Sequence, residues 1–191
     1  MTADGYAVRG SRTRYAGPIF TVVSDEVAMP DGGVAARDVV RKPGAVGVVA
    51  LDDAGAVTLV RQYRHPLAAA CLELPAGLLD VPGEAPAAVA RRELAEETDL
   101  LARRWDALLD LHTSPGFTDE LFRVYLARDL SPAPQRHARR HEEAAMTVER
   151  VPLDAALDLV RTGAITSGPT IAGLFAARHA RDRGWADLRP A

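Results

Sequence analysis

The stretch AVGVVALDDAGAVTLVRQYR, residues 45–64, constrains the fold most: two apolar, β-rich runs flank Asp52-Asp53-Ala54-Gly55. That pattern is a β-hairpin, and it commits the chain to a sheet. Upstream, PIFTVVSDEVAMPDGGVAARDVVRKPGAV reads as two or three strands around the turn signal Pro30-Asp31-Gly32-Gly33. Downstream, LELPAGLLDVPGEAP leads into a helical stretch from about Pro86 to Thr98. WDALLDLHT and ELFRVYLARDL look like two further strands joined by the turn-rich SPGFTD, and SPAPQRHARRHEEAAM is a polar connection without periodicity. LDAALDLVRTG ends in glycine as a helix does, and SGPTIAGLFAARHARDRG opens with Ser167 as cap and Pro169 in the first turn. Strands, one helix, more strands and two helices make an α+β chain with a mixed or largely antiparallel sheet. A regular βαβ alternation is excluded.

Length and charge narrow the class. The 191 residues suit one domain, or one with a short appendage. A net charge of −3 argues against general nucleic-acid binding, which needs a basic excess. Lys42 is the only lysine, so nearly all positive charge is arginine. Coding bias accounts for that, although arginine's fork also suits phosphate. Cys71 is the single cysteine, which excludes an internal disulfide and a cysteine-based metal cluster; a small buried residue is expected there. MTADGYAVRGSR has no apolar core after a basic start, and no apolar run approaches the roughly 20 residues of a membrane span. No signal peptide, no membrane partner and a cytoplasmic location are expected.

ARRELAEETDL, residues 90–100, gathers Glu93, Glu96 and Glu97 beside Arg91 and Arg92. On a helix the three carboxylates fall within about 100°, beside an apolar stripe of Ala87, Ala90 and Leu94 that would dock on the sheet. Like charges at that spacing destabilise a helix by roughly 0.2–0.5 kcal/mol per pair. A bare pair of adjacent glutamates is ordinarily a solvated face. A hard divalent cation would instead turn the repulsion into binding. The flanks favour the cation: Gly77 and Gly83 bracket a tight loop, Glu84 follows it near the positive end of the helix dipole, and Arg92 lies eight residues on.

With these residues the chain resembles the Nudix hydrolases, whose signature is G-x5-E-x7-R-E-U-x-E-E-x-G-U with U apolar. Gly77 opens it, Glu84 is the isolated acid, and RELAEETDL closes it. The match departs from the pattern twice. Six residues separate Gly77 from Glu84, as though Pro82 were inserted, and Asp99 stands where the pattern has glycine. The glycine would end the helix in a left-handed conformation, which aspartate tolerates at a cost of about 1 kcal/mol.

The resemblance implies an α/β/α sandwich, a mixed sheet between helices, with an N-terminal strand extension. It implies that Glu93 and Glu97 bind metal directly, that Glu96 is a ligand or supports one, and that the Ala76 carbonyl is a further ligand. Glu84 and Arg92 would hold loop against helix. The ions would be two or three Mg²⁺, with Mn²⁺ an alternative, and the substrate a nucleoside diphosphate.

LVRQYRHP, LELPAGLLD and SPGFTDE are similar to the ADP-ribose and nucleotide-sugar pyrophosphatase branch, in which a proline lies about fifteen residues past the signature; Leu100 to Pro115 is fifteen. That branch implies that Arg64 reaches phosphate or ribose, that Gly116 and Glu120 line the ribose side, and that Arg37 and Arg41 contact the nucleotide across a homodimer. Exposed strand positions are the alternative for Arg37 and Arg41, and Tyr63 and Phe117 are expected to pack. The general base would come from RHEEAAM, with Glu142 first and Glu143 as fallback; where the branch often has another acid, this chain has Ala144. Residues 1–41 are expected as a dimer-forming strand region and residues 42–191 as the hydrolase domain, with its catalytic helix at 86–98. Hydrolysis of ADP-ribose to AMP and ribose 5-phosphate is the leading expectation. Another nucleoside diphosphate sugar, or a non-catalytic ADP-ribose sensor, is the alternative.

Overall fold

A computed structural model describes residues 5–135, 137 and 145–191, arranged as two compact units. The first comprises Met1–Gly44 and His112–Leu121. Its strands β1 (Ala7–Ala16), β2 (Thr21–Ala28) and β3 (Val34–Arg41) form an antiparallel meander in that order. The β2–β3 turn falls at the expected Pro30–Gly33 signal: Gly32 takes φ 85°, and the Gly33 N–H donates to Asp31 Oδ1 at 2.9 Å. β1 lies ahead of the strands read from the sequence. Its polar alternation and two register shifts, after Val8 and after Thr13, blur the period-two pattern that marks a strand. Val40 binds the 112–121 segment through a 2.7 Å bond to the Phe117 carbonyl.

The second unit comprises Ala45–Leu111 and Phe122–Ala191. Its mixed sheet contains β4 (Ala45–Leu51), β5 (Ala56–Arg64), β6 (Ala69–Glu73), β7 (Ala76–Leu78), β8 (Leu100–His112), β9 (Leu121–Pro132), β10 (Thr147–Pro152) and β11 (Arg189–Pro190). The order is β10-β5-β4-β9-β8-β11, with β6 on β5 and β7 on β4. β4 runs parallel to β9 and antiparallel to β5 and β7.

The alternation of side chains along β4 builds two cores. Val46, Val48 and Ala50 meet Val89, Ala90 and Leu94 of α1 (Pro86–Thr98). Val49 and Leu51 share a core with residues of α2 (Leu153–Arg161) and α3 (Gly168–Asp182), among them Leu153, Ala156, Leu174 and Ala177. The sheet therefore lies between α1 on one face and α2 with α3 on the other, an α/β/α sandwich.

The β4–β5 turn is tied from within and from outside. Asp52 Oδ1 accepts the N–H groups of Ala54 and Ala56, both at 2.9 Å, while Arg150 of β10 pairs with Oδ2. Burial raises the Asp52 pKa, but hydrogen bonds from Arg150, Ala56 and Ala54 outweigh it and hold the carboxyl below its ordinary value. Cys71, expected buried, is half-buried on β6, which among the described residues pairs only with β5.

Candidate active site

The site is built on α1. Pro86 sits at the helix start, where its missing N–H costs nothing, and Asp99 ends the helix at φ 56°, ψ 32°. Between them, Ala90 and Leu94 bury one stripe and so fix the direction of Glu93, Glu96 and Glu97. Glu97 is only 4% exposed, and one of its carboxylate oxygens accepts the Ala76 N–H at 2.9 Å. Glu93 lies over the next residue of β7: a Cβ added to Gly77 would be 2.2 Å from the Glu93 carboxylate carbon. Glycine allows that close approach, since any side chain there would push the carboxylate away from β7.

Arg92 gathers the acids. Its guanidinium donates to Glu93 Oε1 at 2.7 Å, to Glu96 Oε2 at 3.2 Å and to Glu84 Oε2 at 3.3 Å. Desolvation lowers the Arg92 pKa, but the Glu84 hydrogen bond and the charges of Glu93, Glu96 and Glu84 outweigh it and raise the pKa above the ordinary arginine value. The cation thus ties the 78–84 loop to the helix and offsets the repulsion among the carboxylates.

The donor chemistry fits a hard divalent ion. Glu93, Glu96, Glu97 and the main chain at Ala76 offer only oxygen, the class that Mg²⁺ and Mn²⁺ favour. The Gly77 cradle keeps the Glu93 carboxylate against that main chain. Among the described residues no three acidic, histidine or cysteine side chains already converge as a ligand group. Glu93 and Glu96 are directed at Arg92, so gathering them on an ion requires a turn about their side-chain torsions.

Arg64, at the end of β5, is tied by Nε and Nη2 to Glu73 Oε2 at 2.8 Å, where Gln62 also donates at 3.3 Å. Sequence reasoning did not single out Glu73, because its partners come from register across β5 and β6.

The remaining expected binding residues lie in the first unit. Arg37, Arg41 and Gly116 line one cleft of about 400 Å³ together with His112, Phe117 and Asp119. Arg37 donates to the Ala36 carbonyl at 2.9 Å, while Arg41 is divided between Asp119 at 2.8 Å and Asp25 at 3.1 Å. Glu120 is 9% exposed, with one oxygen on Lys42 Nζ at 2.6 Å and the other on Thr113 Oγ1 at 2.6 Å. Tyr63 and Phe117, expected to pack, are instead exposed, at 44% and 55%. Glu142 and Glu143 lie outside the described residues.

The sequence model of the NUDIX domain matches residues 41–172. Over 190 residues the chain is 45% identical to a Mycobacterium tuberculosis protein named ADP-ribose pyrophosphatase, covering 100% of this chain and 91% of that one. A Bacillus subtilis protein of the same name is 36% identical over 156 residues, covering 82% and 83%. A crystal structure described as an ADP compounds hydrolase superposes with a TM-score of 0.82 at 23% identity, over 96% of this chain and 98% of that one. At that identity the likeness is one of fold.

Proposed function

The chain belongs to the Nudix family and is an enzyme acting on pyrophosphate bonds, and on that premise we propose that it hydrolyses ADP-ribose to AMP and ribose 5-phosphate with Mg²⁺. The observation that carries this reading is the packing of Glu93 and Glu97 against the Ala76–Gly77 main chain. The names of the two relatives that cover most of the chain support the choice of substrate.

The family uses divalent ions; here Glu93, Glu96, Glu97 and the Ala76 carbonyl would hold them, two or three in number. When bound, such ions polarise phosphoryl oxygens and acidify water. Arg64 neutralises charge on the diphosphate, with Glu73 fixing the plane of its guanidinium. Glu142, or Glu143 in its place, takes the proton of the attacking water. Arg92 and Glu84 keep the loop before α1 in place while the carboxylates turn.

Arg37, Arg41, Gly116 and Glu120 would serve the nucleoside and ribose ends. Arg37, Arg41 and Gly116 line one cleft, and Glu120 is held next to it in sequence by Lys42 and Thr113. Residues 1–41 would form a homodimer through apolar groups such as Val8 and Tyr15, which are 60% and 51% exposed. Among the described residues no helix is long and apolar enough to cross a membrane, and we place the enzyme in the cytoplasm.

The test is a panel of ADP-ribose and ADP-, GDP- and UDP-sugars, assayed with and without Mg²⁺ in ¹⁸O-labelled water. Preferred Mg²⁺-dependent cleavage of ADP-ribose is expected. Preference for another sugar nucleotide would replace the substrate, and tight ADP-ribose binding without hydrolysis would replace the enzyme with a sensor.

A further inference from the structure

Leu74 and Pro75 lie where the chain changes partners. β6 ends its pairing with β5 at Glu73, opposite Val60, and β7 begins its pairing with β4 at Ala76, opposite Gly47. Between the two ladders a backbone donor has no strand to join, and an unpaired buried N–H is costly. Leu74 is 1% exposed, and its N–H donates at 3.1 Å to the hydroxyl of Thr170, in the first turn of α3 and also 1% exposed. α3 approaches Leu74 again one turn later, where a Cβ added to Gly173 would lie 2.9 Å from Leu74 Cδ1. The Pro75 carbonyl accepts the Val48 N–H at 2.9 Å, and the Ala76 N–H is held by Glu97. Residues 74–76 are thus fixed by α3, β4 and α1 in turn.

We propose that Thr170 is a positioning residue for the metal centre: from the face of the sheet opposite α1, its hydroxyl fixes the main chain that carries the Ala76 carbonyl, a role that rests on the reading of that carbonyl as a ligand given above. Pro75 makes the link stiff. Its ring fixes its own φ and restricts Leu74 to extended backbone, so a shift at Leu74 is passed to Ala76 instead of being absorbed between them. Mg²⁺ demands near-ideal octahedral geometry and tolerates little displacement of a ligand. A carboxylate can follow the ion by turning its side chain, whereas a main-chain carbonyl moves only with its backbone. The backbone ties behind Ala76 therefore matter more to that ligand than side-chain ties matter to Glu93 or Glu96.

Thr170→Val keeps the shape of the side chain and deletes the acceptor. In the metal-free variant, hydrogen exchange quickens at the Leu74 and Ala76 amides more than at the β4 amides, which report global stability. Mn²⁺ binding by titration calorimetry weakens roughly tenfold, as it does when a group supporting a ligand is lost. Turnover falls at low Mg²⁺ and recovers as Mg²⁺ is raised. Thr170→Ser keeps the hydroxyl and restores exchange, affinity and turnover. Ala177→Gly, two turns along the same helix and also buried, lowers the melting temperature but leaves Mn²⁺ affinity at the parent value and changes exchange at Ala76 no more than in β4. Thr170→Ala repeats the test should the valine variant not fold. Parent-like exchange at Ala76 in the folded variant, or an equal loss of Mn²⁺ affinity in Ala177→Gly, would overturn the proposal. Faster exchange at Ala76 with parent-like Mn²⁺ affinity would instead overturn the reading of its carbonyl as a ligand.

Discussion

Gly77→Ala separates the site from the fold. Gly77 is not among the residues with positive φ, so alanine meets no backbone penalty. Restricting the unfolded chain favours the variant by about 0.4–1 kcal/mol. Against that, the new methyl would lie 2.2 Å from the Glu93 carboxylate carbon and 2.5 Å from its Cγ. Ordinary contact begins at 3.4 Å, so the carboxylate must withdraw by about 1.2 Å. It sits at the end of a flexible side chain, and the withdrawal costs roughly an off-rotamer strain of 0.5–1.5 kcal/mol. The two contributions nearly cancel, and the melting temperature is expected to move by no more than about 4 °C for a chain of this size.

Turnover has no such compensation. Misplacing a reacting group by about 1 Å can lower a rate ~100-fold, and that loss of kcat is expected here. Steady-state kinetics on ADP-ribose with Mg²⁺, thermal melts and the Gly77→Ala/Glu93→Gln double variant test the reasoning together. If Glu93 transmits the effect, the double variant is no slower than the slower single. A folded Gly77→Ala enzyme with parent-like kcat would show that the position of Glu93 against β7 does not matter to the chemistry.

Three further perturbations address the carboxylates and the turn. Glu97→Gln keeps an acceptor for the Ala76 N–H and should melt near the parent, yet lose turnover by orders of magnitude; Glu142→Gln should do the same, and a normal rate in either removes that residue from the mechanism. Arg92→Met leaves Glu84, Glu93 and Glu96 without their shared cation, at a cost of about 1–3 kcal/mol in metal-free melts. The same variant should bind Mn²⁺ more tightly, because Glu93 and Glu96 no longer have to leave the guanidinium; unchanged or weaker affinity by titration calorimetry contradicts that. Asp52 has a folded pKa below its ordinary 3.8, so its contribution to stability is complete above pH 3.8 and is lost as pH falls through the lowered value. Asp52→Asn should therefore be less stable than the parent at neutral pH, with the two denaturation curves converging in acid; a constant gap across the range refutes the assignment.

Much of the site was legible because its decisive spacing is local. A helix repeats every 3.6 residues, so Ala90 and Leu94 toward the sheet and Glu93, Glu96 and Glu97 beside them follow from order along the chain. The left-handed end at Asp99 was legible for the same reason, since the backbone there depends on its own residue and immediate neighbours. β1 was not, because polar alternation with register shifts carries no apolar period. The exposure of Phe117 and Tyr63 was not, because an aromatic residue in a sequence does not say whether anything covers it.

The sequence by itself determined the hairpin, the helix with its row of carboxylates, and hence the class of chemistry, since each depends on residues a few positions apart. Only the tertiary structure decided which partners those groups keep. It laid the Glu93 carboxylate on Gly77, gave Glu97 the Ala76 N–H, divided Arg92 among three acids, set Arg64 on Glu73 and Glu120 on Lys42, and brought His137 to Asp99. Most of these contacts join elements distant in the chain. Strand register and packing between elements choose them, and neither is written in local spacing.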